Sequence, residues 1–357
     1  MAYTTVNKCA SHYSTKLFTG NGSTTQAITG VGFQPDWFWI KCRNEVADNQ
    51  LSDVLRGKSG SLYYQLQSNG NGAQVVQGDN DGVHSLDSDG FTVGYTNSVA
   101  WNKSGNTYAT WNWKAGGTGS ANTAGTINST VSVNTTSGFS IVKYTGNGTS
   151  GATVGHGLGA VPKMIIVKQY NSSGGSENWG VYHVSNGNTK YMFLNSNAVV
   201  GTNSGYWNDT TPSSTVFTLG NNDVVNNNTV EYVAYCFAEK IGYSKFGSYT
   251  GTNSSGNAPF VYTGFRPSYL VVKSSSTDRW WTINDDKRNN SFNPANRWLY
   301  TNASNVEFDA TSYGTDFLSN GFKIKHDGSY MNESATYIYW AFGQTLVGSN
   351  NIPCTAR

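Results

Sequence analysis

The chain has 357 residues, 12% of them charged, and a formal net charge of +2. Ordinary soluble domains are roughly 25% charged, and no Lys/Arg cluster supplies the basic field that nucleic-acid binding requires. Aromatics reach 14%, with 22 Tyr and 11 Trp, which excludes disorder as the meaning of the Gly-, Asn-, Ser- and Thr-rich background.

Residues 1–15 read as an N-terminal arm, and three segments written to one template follow it. The first, 16–114, runs through Phe18-Thr19-Gly20-Asn21-Gly22 and Gly32-Phe33-Gln34-Pro35 to a strand ending at Lys41. It then passes Gly90-Phe91-Thr92-Val93 and closes on Tyr108-Ala109-Thr110-Trp111-Asn112-Trp113. Residues 115–137 lack both charge and aromatics and read as a flexible linker with one edge strand at Thr130–Val133, so the first copy is free to swing. The second copy, 138–243, repeats the pattern with Tyr144-Thr145-Gly146-Asn147-Gly148, Pro162 to Lys168, Val216–Leu219 and Tyr232–Phe237. The third, 244–346, does so with Tyr249-Thr250-Gly251, Pro267 to Lys273, Gly321–Ile324 and Tyr337–Phe342, and 347–357 form a C-terminal tail. Six residues separate Pro from Lys in every copy. A period near 100 residues suits a self-contained fold rather than a solenoid unit.

Short apolar runs between turn clusters define an all-β protein: three tandem antiparallel β-sandwiches of jelly-roll type, about 100 residues each. After each Pro, one strand face carries Phe38/Ile40, Ile165/Val167 or Leu270/Val272. The other carries Trp37/Trp39, Met164/Ile166 or Tyr269/Val271, so the strand is expected to lie mid-sheet and covered on both sides. The closing strands place Trp111/Trp113, Tyr235/Phe237 and Trp340/Phe342 on one face, the expected core.

Little points to chemistry. Gly155-His156-Gly157-Leu158-Gly159 misses dinucleotide spacing and reads as a turn. Asp79-Asn80-Asp81-Gly82 and Asp87-Ser88-Asp89-Gly90 begin like calcium loops but lack the bidentate Glu at the twelfth position. The cysteines show no CxxC spacing, and Cys236 reads as a small core residue. No apolar run approaches the roughly 20 residues of a spanning helix, and no signal peptide is evident. We therefore expect a protein made in the cytoplasm, with no enzymatic activity, cofactor, metal or membrane insertion. The functional lead is aromatic: Trp101, Tyr206, Trp207, Trp280 and Trp281 lie outside the shared strands among Asn, Ser, Thr and Asp. They are candidates for stacking on glycan rings, or alternatively for packing between domains or subunits.

The strings GFSIVKYTGNGTSGATVGHGLGAVPKMIIVK, VEYVAYCFAEKIGYSKFGSYTG and FVYTGFRPSYLVVK, with QPDWFWIK, resemble a repeat of structural proteins of tailed bacteriophages, those of marine and cyanobacterial phages in particular. The resemblance spans about 14–345 and implies a non-enzymatic virion protein of lectin-like β-sandwiches, of tail-fibre or appendage type, exposed on the particle surface. It transfers no ligand residues. Its implied partners are other virion proteins of tail or capsid and a host-surface glycan, and its implied state is a homo-oligomer, trimer or higher. Without heptads the chain suits a compact appendage, with a capsid decoration or cement protein as the alternative and a polysaccharide depolymerase as a third reading.

Overall fold

The structure, a computed structural model, describes residues 6, 8–171, 175–289, 293–310, 313–328 and 330–343. The C-terminal tail 347–357, with Cys354, lies outside the described residues, as does most of 1–7. The protein is all-β, and its large sheets repeat one strand order. Each runs from an opening strand (Tyr13–Thr19, Phe139–Thr145, Ser244–Thr250) to a closing strand (Thr107–Trp113, Glu231–Ala238, Thr336–Gly343). The post-proline strand follows (Trp37–Cys42, Pro162–Gln169, Pro267–Ser274), then a fourth (Gln50–Asp53, Gly180–His183, Thr282–Asp285) and a fifth (Leu66–Gln67, Lys190–Phe193, Arg297–Tyr300). All these pairings are antiparallel.

A smaller sheet covers one face of each large sheet. It is built on Gly90–Gly94, Val216–Leu219 or Gly321–Ile324, the third shared strand of the template. The core so enclosed takes Phe38 and Ile40 in the first repeat, Ile165 and Val167 in the second, Leu270 and Val272 in the third. The Thr-Gly of each opening turn has a steric cause. A Cβ at Gly20, Gly146 or Gly251 would stand 2.2, 2.3 or 2.1 Å from the carbonyl oxygen of Lys103, Asn227 or Glu333. A buried asparagine pins the same turn in each copy. The Oδ1 atoms of Asn102, Asn226 and Asn332 accept from the amides of Asn21, Asn147 and Thr252 at 3.1, 2.9 and 2.9 Å.

The opposite faces of the three large sheets meet in one shared core. Tyr13, Trp37, Trp39, Trp111 and Trp113 of the first repeat join Phe139, Met164, Trp179, Tyr235 and Phe237 of the second and Tyr269, Trp281, Trp340 and Phe342 of the third. Trp37 stacks on Tyr235 at 4.5 Å, Tyr13 on Phe342 at 5.3 Å, and Phe237 meets Phe342 at 6.0 Å. The doubly apolar post-proline strand is thereby explained: one face belongs to its own sandwich, the other to all three.

Polar seams between repeats follow the same threefold pattern in one cyclic sense. Lys41 donates to Ser304 O, Lys168 to Asn71 O and Lys273 to Asn197 O. Just before the fourth strands, Asn49 donates through Nδ2 to Tyr300 O, Trp179 through Nε1 to Gln67 O, and Trp281 through Nε1 to Phe193 O. Backbone bonds repeat the cycle: Glu307 N to Arg43 O, Gln74 N to Tyr170 O, Val200 N to Ser275 O. Burial pushes each of the lysines down to about 8.

Two expectations are corrected. The stretch 115–137 is not a flexible linker. Ser129–Asn134 pairs along its whole length with Phe139–Thr145, Ser120–Asn122 adds outside it, and Asp36 Oδ2 accepts from the amides of Ala115 and Gly117. The strand expected at Thr130–Val133 is there, longer than expected and with another strand beyond it; its Val131 is buried, and the first repeat is fixed rather than swinging. The described residues of the arm 1–15 are likewise not free, because Val6, Cys9 and Tyr13 lie in the shared core and Tyr13–Thr15 open the first strand.

One seam position predicts a pH dependence. Asp53, His183 and Asp285 occupy the same place at the end of the fourth strand, and His183 is fully buried. Its Nδ1 accepts from Ser185 N at 3.2 Å, so Nε2 carries the proton and donates to Tyr339 O at 3.1 Å. The neutral ring is satisfied, and burial pushes it down from 6.5 to about 4. Between those values the unfolded chain takes up a proton that the folded chain refuses, so stability is lost as pH falls from about 6.5 through about 4. In denaturant melts across this range, His183→Gln should lose less stability than the parent, the difference reaching about 3 kcal/mol. Parallel curves would show that His183 does not contribute.

Candidate functional site

The structure overturns the exposure expected of four aromatic candidates. Trp101 is fully buried, stacked over Phe38 in the first sandwich. Trp207 is buried against Tyr182, and Tyr206 lies flat on Tyr191 at 3.8 Å. Trp281 is the seam tryptophan already described, so it packs between repeats. Trp280 is half-buried, edge-on to Tyr300 at 4.6 Å. These side chains supply large apolar areas, and burial against neighbouring sheets outweighs the polar residues beside them in sequence. They form no common glycan platform.

Tyr206 does, however, line a pocket of about 470 Å³ in the second repeat, with Glu177, Asn178, Phe193, Asn203, Gly205, Asn221, Asn222, Asp223 and Val224. Two helical turns build it, Ser204–Trp207 and Asp223–Asn226, and among the described residues they are the α-helical segments of the chain. The side chains of Asn203 and Asn222 start these turns, accepting from Gly205 N at 2.8 Å and Val224 N at 3.0 Å. Asn178 accepts from Asn195 Nδ2 at 2.8 Å. Each of these asparagines has thus committed its oxygen, and among the described residues its Nδ2 group is left without a partner. The carboxylates of Glu177 and Asp223 are likewise unbonded there. Burial pushes Glu177 up, the Asp223 charge adds to this, and Lys168 opposes it. Lys168 also fixes the rim, donating to Glu177 O at 2.7 Å while its other bond crosses the seam to Asn71.

The pocket therefore offers amide donors and carboxylate acceptors beside the rings of Phe193 and Tyr206, a composition suited to a polyhydroxylated ligand. Of its residues, Tyr206 alone was singled out from sequence. The others come from four separate segments, and the asparagines among them belong to a residue type abundant everywhere in the chain. The calcium-like Asp81 and Asp89 serve loops instead. Asp81 accepts from the amides of Thr96, Asn97 and Ser98, and Asp89 from those of Gly30 and Gly32. Among the described residues no group of three or more His, Cys, Asp or Glu is placed to hold a metal ion.

The fold defines a class: an all-β protein whose three large antiparallel sheets repeat one strand order around a shared core. The chain belongs to the family described as a domain of unknown function, DUF7483, whose model matches residues 8–345 in a single span across all three repeats. No curated protein and no solved structure matches it.

Proposed function

We propose that the protein is a non-enzymatic structural component of a bacteriophage particle, a tail appendage or fibre component on its exterior that attaches to a host-surface glycan. The observation that carries the attachment role is the pocket of the second repeat, an amide- and carboxylate-lined departure from a body otherwise built three times to one pattern. The virion setting rests on the sequence resemblance. Oligomerisation of the whole chain, trimeric or higher, belongs to the same proposal, since appendages repeat about symmetry axes. Asn221 is exposed and makes no hydrogen bond described above, so Asn221→Ala should weaken retention on host polysaccharide severalfold and leave the melting temperature unchanged. Retention equal to the parent's would remove the pocket from the attachment role. New reducing ends on incubation would instead favour a depolymerase.

A capsid decoration role is the second reading, favoured by exposed aromatics on the third repeat. Phe260 and Tyr262 project from an edge strand at 47% and 63% exposure, surface suited to a protein contact. Immunogold labelling separates the two: gold at the tail supports attachment, gold over the head supports decoration.

A further inference from the structure

We infer that the pocket of the second repeat selects its glycan by charge, preferring a sugar residue with a free amino group over its neutral N-acyl counterpart and excluding acidic sugars. This rests on the glycan reading above and names the class of ligand. Two carboxylates, Glu177 and Asp223, line the pocket, and no Lys, Arg or His does. The cation that bears on Glu177, Lys168, does not line the pocket; it is 1% exposed and donates to two backbone carbonyls. A ligand therefore meets a lining whose only charged side chains are carboxylates, which favours an ammonium and opposes a second carboxylate.

The remaining polar groups argue for a sugar rather than a bare metal ion. A calcium ion takes 6–8 oxygen ligands. The side-chain oxygens of Asn178, Asn203 and Asn222 each already accept from Asn195, Gly205 or Val224, whereas their N–H groups, which repel a cation, suit hydroxyl oxygens. Hydroxyls for the amide donors and an ammonium for the carboxylates are both present on one amino sugar. The symmetry of the body makes the feature local. In the first repeat Val99 stands where Asp223 does, each accepting from the hydroxyl of the closing-strand tyrosine, and among the described residues no α-helical turn shapes a matching pocket elsewhere.

The test uses the full chain and three matched oligosaccharides, glucosamine-, N-acetylglucosamine- and glucuronate-based, followed by calorimetry at low and high salt. The expected order is amino, then N-acetyl, then acidic, with steps on the order of tenfold that shrink as salt rises. In Glu177→Gln/Asp223→Asn the first two affinities should converge. Equal affinities, an acidic ligand binding best, or binding abolished by a chelator would overturn the inference. Binding of some other host glycan with none of these three would overturn it while leaving the glycan reading intact. A protein that retains no host glycan at all would sink both.

Discussion

Phe342→Ala is expected to destabilise the whole molecule by about 3–5 kcal/mol, the cost typical of truncating a buried Phe. The ring is 2% exposed and lies at the junction of the repeats. It meets Tyr13 and Trp113 of the first, Phe237 of the second, and Tyr243, Phe246 and Tyr269 around its own strand. Its removal opens a cavity walled by all three sheets, so no single sandwich can collapse to fill it. Three independent domains would respond differently, with one melting early and two unaffected. Urea melts read by a probe in each repeat should therefore shift together to lower midpoints. A shift confined to the third repeat would show that the shared core does not couple the sheets. Trp113→Ala should behave in the same way.

Asp53→Ala is expected to cost a similar 3–5 kcal/mol by a different route, leaving a buried charge without its partner. Both side chains of the Asp53–Arg56 pair are fully buried. One oxygen of Asp53 accepts from the amides of Leu55 and Arg56; the other takes Arg56 Nε at 2.5 Å and, across the seam, Tyr235 Oη at 2.8 Å. The alanine variant would strand the Arg56 guanidinium and the Tyr235 hydroxyl together. An Asp53→Leu/Arg56→Met double variant should recover much of the loss, because well-packed apolar groups can replace a buried pair at little cost. A double variant as unstable as the single one would mean that the carboxylate's backbone bonds matter more than the charge. Asp285 and Arg288 form the same pair in the third repeat, with Trp111 Nε1 at 3.0 Å in place of the tyrosine. His183 does the job without charge in the second.

Much of this fold was legible in the sequence, because alternation and repetition report directly on strands. Phe38/Ile40 against Trp37/Trp39 correctly gave a strand covered on both faces. What periodicity cannot say is who covers it, and the second cover proved to be the other two repeats. Trp280-Trp281 illustrates the limit at the site. Just ahead of the strand Thr282–Asp285, Trp281 reaches the seam while Trp280 stays half-buried, whatever polar residues flank them. Asn203 and Asn222 were indistinguishable from dozens of turn-forming polar residues until their helical turns brought them beside Glu177 and Asp223. The stretch 115–137 misled by composition: the alternation of Val131 and Val133 gave the strand, but the small uncharged residues around it concealed that the segment is pinned to both neighbouring sheets.

The cyclic seams bear on how such a molecule can change over generations. In an assembly of identical chains every substitution is written into all copies at once, so a pocket gained in one place is a contact risked in each. Joining the copies on one polypeptide removes that constraint. Two units can go on holding the ring while the third departs, and among the described residues it is the second repeat that differs, with a histidine where its siblings keep an acid and with α-helical turns of its own.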